Sequence, residues 1–335
     1  MGTLRFASFD EGHLDAAAGL LAARHRRDRQ DEPRLPARFA ELAGARAAIE
    51  AIRRETGASG VVALRDGQLA GYLIGAPDHA EIWGRSVWIR YAGHALASDE
   101  EAELLRDLYA AASPPWLARG LFAHYVEAPA GDHAGLDAWF RLGFGHQQAY
   151  AIRPLLRDTA APSARRLDPA IIIRRAGPDD HVALAEMGYI LWAHLGQSPT
   201  YSVRLPEEAS NWAEAAPEAL ADPRVAVWLA ARDGAVLSAV IIRPLELDDE
   251  TPDLPEDSCY FAVAATREDA RGQGIGSTLL ARALDAARDA GYLACLTDWR
   301  MTNLPASRLW PQLGFRPFEY RLHRLIDSRI AWAKA

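Results

Sequence analysis

Between residues 225 and 325 the apolar positions change period repeatedly, and each change marks a new element. Runs at 225–231 and 235–243, rich in Val, Leu, Ile and Ala and joined by Asp233-Gly234, predict two strands of a hairpin. An acidic loop over 246–257 precedes a third apolar run at 258–265. The period then lengthens. Leu280, Leu284 and Ala287 recur on one helical face, which predicts a helix over 276–290 that Gly291 ends. A strand over 292–299, a helix over 304–313 and a last strand over 318–325 complete the series.

The N-terminal half repeats this grammar. Leu4-Arg5-Phe6-Ala7 leads to Asp10, and Ile173-Arg174-Arg175-Ala176 leads to Asp179. Each reads as a short strand, an acidic N-cap and an alanine- and leucine-rich helix. The closing segments align without gaps: Asp132 faces Asn303, Trp139 faces Trp310, and Leu142-Gly143-Phe144 faces Leu313-Gly314-Phe315. Arg153 and Arg324 then hold equivalent places in the strand that follows. Such a coincidence at one fixed offset indicates a duplicated domain. The polar stretch 158–169, with Pro and Ser, separates the copies. The expected division is 1–155, a linker over 156–170, and 171–335. The middles differ, because the strand near 86–92 runs through Gly93-His94-Ala95-Leu96 into a helix near Asp99.

A length of 335 residues fits two domains. The net charge of −8 argues against general nucleic-acid binding, which needs a basic face. No apolar run approaches the roughly 20 residues of a membrane span. The first six residues read as a strand rather than a signal peptide, so a cytoplasmic location is expected. Cys259 and Cys295 lie in apolar segments and read as small buried hydrophobes. The ten histidines show no metal-ligand spacing, and no metal is expected. The charge run from Arg24 to Glu32 reads as a solvated helix end, with His25 opposite His194 in the register of the repeat.

The strongest chemical signal is Ala270-Arg271-Gly272-Gln273-Gly274-Ile275-Gly276-Ser277, a glycine turn that opens a helix. Backbone N–H groups there can approach an anion, and the helix dipole favours negative charge. A P-loop is excluded, since no Gly-Lys-Ser/Thr follows the turn. A dinucleotide fold has Asp298 at nearly the ribose-binding spacing. It lacks the third small residue of that fingerprint, and a single strand after Asp298 cannot complete a doubly wound sheet.

The turn resembles the acyl-CoA loop of the GNAT acetyltransferases, Gln/Arg-x-x-Gly-x-Gly/Ala, through Arg271, Gly274 and Gly276. Asn303-x-x-Ala306-x-x-Leu309-Trp310-x-x-x-Gly314-Phe315 resembles the closing motif of that family. The resemblance covers about 171–326, and reaches 1–155 only through the repeat. It implies an α/β fold of two tandem GNAT-like domains, each a mixed, mostly antiparallel sheet flanked by helices. It also implies acetyl-CoA as co-substrate, with pyrophosphate at Arg271, Gly272, Gln273, Gly274, Ile275, Gly276 and Ser277. Backbone of Val263, Ala264 and Ala265 would face the thioester, and Asn303, Ala306 and Trp310 would flank the CoA arm. Asn303 equally suits a plain N-cap.

Many members carry tyrosine where Trp310 stands, and an indole is no acid for a departing thiolate. The remaining catalytic candidates are Tyr260, which alternation can turn toward the cleft or away, and Asp298, a base or a loop acid. His194 and Ser198 fall where the resembling folds build the acceptor wall. The expected protein is a monomeric or homodimeric N-acetyltransferase acting on a small-molecule primary amine by direct attack. The alternative is a non-catalytic acyl-CoA-binding or regulatory protein. Residues 1–155 would be a degenerate copy.

Overall fold

The computed structural model describes residues 3–80, 82–156, 167–203, 205–247 and 250–333. Residues 157–166 of the expected linker lie outside the described residues. In chain order the elements of the first half are β1 (Leu4–Ser8), α1 (Leu14–Asp31), α2 (Leu42–Arg54), β2 (Ser59–Arg65), β3 (Gln68–Asp78) and β4 (Ser86–Ile89). Then follow β5 (His94–Leu96), α3 (Glu103–Ala118), β6 (Ala123–Pro129), α4 (His133–Arg141) and β7 (Gly145–Pro154). The second half repeats the order without a partner for β5: β8 (Ile172–Arg175), α5 (His181–Leu195), α6 (Pro206–Ala221), β9 (Ala226–Arg232) and β10 (Ala235–Pro244). It continues with β11 (Ser258–Thr266), α7 (Ile275–Asp289), β12 (Ala294–Arg300), α8 (Leu304–Gln312) and β13 (Arg316–Leu325).

Compactness divides the chain differently from the repeat. One unit comprises Met1–Ala149, Leu247–Glu256 and Pro317–Ala335, and the other Tyr150–Glu246 and Asp257–Arg316. Each half thus gives part of its closing strand to the other half's unit, and the first unit also takes the acidic loop. Arg153 and Arg324 each reach a helix end of the opposite half. Arg153 Nη1 donates to the carbonyl of Leu313 at the end of α8 (2.6 Å), and Arg324 stands beside Gly143 at the end of α4.

In the first unit the strands run β1-β2-β3-β4-β6-β13, antiparallel except for β4 against β6. Period-two alternation sends Val62, Tyr72 and Ile74 to a core with α1 and α2, and Ala63, Leu73, Val87 and Ile89 to one with α3 and α4. On α2, Ala45, Ala48, Ile49 and Ile52 form the buried stripe that spacing requires.

In the second unit β8-β9-β10-β11-β12 are likewise antiparallel but for the last pair. Leu184 and Met187 of α5 pack on Val227, Leu229, Ile241 and Val263. The predicted face of α7, Leu280, Leu284 and Ala287, is buried, and Gly291 follows the helix at φ +98°. The Asp233-Gly234 hairpin turn is left-handed at both residues, as is Asp66-Gly67 between β2 and β3. One expected cap moves. The carboxylate that accepts from the Gly177 N–H ahead of α5 (2.7 Å) is Asp180 rather than Asp179, and Arg174 grips it with both terminal nitrogens.

Among the described residues no helix is long and apolar enough to cross a membrane.

Candidate active site

The parallel pair β11 and β12 forks. Its register joins Ser258 to Ala294, Cys259 to Cys295 and Tyr260 to Leu296. Pairing ends there, although β11 runs on to Thr266 and β12 to Arg300. Beyond the fork β11 keeps its ladder to β10 on the other side, through Phe261, Val263, Ala264, Ala265 and Thr266. One edge of its backbone therefore has no strand partner among the described residues, which is the requirement for main-chain bonding to an extended ligand. Both cysteines are buried at the closed end of the fork, as their apolar surroundings imply.

At the end of β11 the glycine turn adopts backbone that side chains resist. Gly272 has φ +76° and Gly274 φ +81°. At position 276 an added Cβ would stand 2.8 Å from Thr266 Oγ1, so any larger residue there has to displace that hydroxyl. The first helical hydrogen bond of α7 is made by the Thr278 N–H to the Gly274 carbonyl (3.0 Å). The amides of Ile275, Gly276 and Ser277 precede it and lie at the positive end of the helix. The long side chains of the turn fold back: Arg271 Nε donates to the Thr266 carbonyl (3.3 Å) and Gln273 Nε2 to that of Asp269 (3.0 Å).

A cavity of about 570 Å³ opens on this turn. Ala264, Ala265, Arg271, Gly272, Gly274, Ile275, Gly276 and Ser277 line it. Gln273, Asn303, Ala306 and Trp310 are not among its lining residues, and neither is Val263, whose side chain belongs to the core under α5. Trp310 is 6% exposed and packs against Phe261 and Phe315, with ring centroids 5.7 and 5.1 Å away. Ser238, Thr266 and Gln312 also line the cavity and were not anticipated. Ser238 left a signal, as the one hydroxyl inside the apolar run of β10. Its Oγ donates to the Ala265 carbonyl (2.8 Å) and meets Thr266 Oγ1 at 2.9 Å.

The other candidates gather in pairs. Tyr260 stands at the last paired position of the fork and Asp298 two residues past the opposite one, and the Tyr260 hydroxyl donates to Asp298 Oδ1. The Arg243 guanidinium lies 5.4 Å from the Tyr260 ring centre. His194, in the last turn of α5, donates from Nε2 to Asn303 Oδ1 (3.3 Å). The same oxygen accepts from the Ala306 N–H (3.4 Å), so Asn303 both caps α8 and holds His194. Ser198 is exposed in the loop after α5.

The first unit has no fork at the corresponding joint. There β4 pairs with β6 along its whole length, Ser86 to Ala123 through Ile89 to Val126. The chain then turns through Tyr91–Gly93, and β5 pairs back onto β3. Arg24 fastens the turn, donating to the carbonyls of His94 and Tyr91 (2.7 Å to the latter), with its guanidinium 4.2 Å from the Tyr91 ring centre and 3.3 Å from Asp28. The run from Arg24 to Glu32 is thus solvated on one side only, where Arg26, Arg27, Gln30 and Asp31 are exposed. Arg24, His25 and Glu32 are 5%, 0% and 2% exposed. Burial pushes the His25 imidazole down to about 4, and its Nε2 meets the Pro36 carbonyl at 2.9 Å. A charged residue at equivalent helical spacing becomes core when a neighbouring turn exposes carbonyls to it.

Comparison with known proteins accords with this geometry. Residues 190–315 match the acetyltransferase (GNAT) family. No curated protein matches the chain by sequence. Among solved structures, a GCN5-related N-acetyltransferase from Sphaerobacter thermophilus is 16% identical, with 96% of this chain and 94% of that one covered at a TM-score of 0.58. A tandem GNAT protein from the clavulanic acid biosynthesis pathway is 14% identical, with 96% and 98% covered at a TM-score of 0.50. These likenesses establish the fold over nearly the whole chain.

Proposed function

With residues 190–315 matching the acetyltransferase (GNAT) family, we propose that the second unit transfers an acetyl group from acetyl-CoA to the primary amine of a small molecule. The observation that carries this reading is the coincidence of the forked pair β11 and β12 with a glycine turn at the open end of the gap. Amides of Ile275, Gly276 and Ser277 suit a pyrophosphate at a helix N-terminus. The cavity of about 570 Å³ lies in the size range of small-molecule and cofactor sites. Acetyl-CoA supplies the thioester. The unpaired edge of β11 past Tyr260 supplies backbone donors for its carbonyl oxygen, and such donors stabilise the charge that develops during acyl transfer.

Proton movement falls to Tyr260 and Asp298 at the fork. The ammonium form of the acceptor gives one proton to water to become a nucleophile. The proton that the nitrogen sheds as the amide forms goes to Asp298, which can pass it back to Tyr260. As the C–N bond forms and the C–S bond breaks, the Tyr260 hydroxyl can protonate the thiolate. Trp310 is a core residue here and takes no part in this step. His194 and Ser198, beside and beyond the end of α5, are proposed for the acceptor side. The two domains are proposed to divide at the linker over 156–170, with the first half a degenerate copy.

The test is a calorimetric titration with CoA. One site per chain is expected, and Gly274→Glu should remove binding by placing a carboxylate against the pyrophosphate. Binding that survives Gly274→Glu, or two sites per chain, would refute the assignment. Tyr260→Phe should keep CoA affinity and lower turnover by ~100-fold, the size of one proton-transfer contribution. Tight CoA binding without turnover on any amine would favour a non-catalytic acyl-CoA-binding protein.

A further inference from the structure

Three carboxyl groups from distant parts of the chain meet inside the first unit: Glu127 on β6, Asp253 in the acidic loop and Glu319 on β13. One oxygen from each lies within 4.8 Å of the others. Two oxygens on opposite sides of a calcium ion stand about that far apart, at bonds of about 2.4 Å. Glu319 is 2% exposed; its carboxyl group shares a hydrogen bond with that of Asp253, and its Oε2 has no hydrogen-bond partner among the described residues. A buried, unsatisfied carboxylate oxygen is costly unless something occupies it. Two arginines offset part of this negative charge, Arg24 acting on Glu319 and Arg90 on Asp253. Glu127 receives the Arg90 guanidinium at 3.5 Å and the Tyr91 N–H at 3.2 Å, while His94 Nε2 is engaged with the Glu127 carbonyl at 2.9 Å.

The cluster also has an entrance. Glu127 and Asp253 line a cavity of about 370 Å³, whose wall includes Glu55 and Glu250. The loop that brings Asp253 is tethered on both sides, by Arg54 to Glu250 (2.9 Å) and Arg38 to Glu256 (3.2 Å). We propose that Glu127, Asp253 and Glu319 bind one hard divalent cation, with water from the cavity completing its shell. An all-oxygen donor set selects Ca²⁺, Mg²⁺ or Mn²⁺ over softer metals. The site rests on the first unit alone, so it stands or falls independently of acyl transfer in the second.

The test uses the full chain stripped with a chelator. At millimolar concentration at least one of Ca²⁺, Mg²⁺ and Mn²⁺ should raise Tm by about 4 °C or more, and calorimetry should count one ion per chain. Glu319→Gln should weaken binding at least tenfold, with a metal-free Tm near that of the wild type. Asp253→Asn, on the cavity side, supplies the same readout should the buried variant fail to fold. No shift with any of the three ions overturns the proposal. So does an undiminished shift in a folded variant, or stabilisation by a polyamine such as spermidine but by no metal.

Discussion

The two units share an order of elements and treat one joint in opposite ways. In the second, β11 outlasts its pairing with β12 by several residues, and a turn of glycines lets the chain enter α7 beside an open gap. In the first, β4 stops where its pairing with β6 stops, and the next residues fold onto β3 as β5. Where one unit presents free backbone, the other spends the same segment on a strand and an arginine clamp. The lesson is local. A few residues between two strands decide whether a duplicated sheet leaves a strand edge unpaired or folds the segment into a further strand, while hairpins and helix faces elsewhere stay alike.

The sharpest way to break this comparison is to remove the clamp. Arg24→Ala strips partners from the carbonyls of Tyr91 and His94 and leaves the half-buried Asp28 with the Tyr91 hydroxyl but without its cation. Losing one member of a buried charged network costs about 3–5 kcal/mol. A urea melt of the full chain should show that loss, with CoA affinity in the second unit unchanged. A cost below about 1 kcal/mol would mean that the joint is sealed by strand β5 and not by Arg24.

Much of this was legible beforehand. The recurrence of Leu280, Leu284 and Ala287 marks a helix because local spacing alone decides which face packs. The glycines at 272 and 274 announce their turn because few other residues tolerate its backbone. What escaped reading depends on partners distant in sequence. Arg153 and Arg324 aligned across the repeat, but nothing in their neighbourhood says that each reaches a helix end of the opposite half. Arg24 looks like a surface charge until the carbonyls of residues 91 and 94 are placed over it. Glu127, Asp253 and Glu319 had no motif to betray them, because an exchanged strand and an inserted loop bring them together.

A smaller effect sharpens the contrast through pH. His124, fully buried in the sealed core, accepts the Tyr109 hydroxyl at Nδ1 (2.7 Å) and gives its Nε2 hydrogen to the Leu121 carbonyl (3.1 Å). Burial pushes its pKa down to about 4 from the usual 6.5, and Arg324 and His323 add to the effect of burial. The unfolded chain therefore binds more protons between these values, and stability from this group is lost as pH falls from 6.5 toward 4. The loss is about 1.4 kcal/mol per pH unit, or about 2 kcal/mol at pH 5. Comparing urea melts at pH 7.5 and 5.0, His124→Gln should shrink the difference by about that amount. An unchanged difference would assign the acid sensitivity to other groups.

The smallest effect separates two side chains that the repeat makes twins. Asp132 caps α4 by accepting from the Gly135 N–H (2.9 Å), and Asn303 caps α8 by accepting from the Ala306 N–H (3.4 Å). Removing either cap with alanine should cost about 1 kcal/mol. Only Asn303 also receives His194, so only Asn303→Ala frees that imidazole on the proposed acceptor side. Asp132→Ala should leave KM for the amine untouched, while Asn303→Ala raises it, and Asn303→Asp, which keeps an oxygen for both donors, should restore it. If both alanine variants lower stability and neither moves KM, Asn303 is a cap like its twin, and the difference between the units narrows to the fork and its glycine turn.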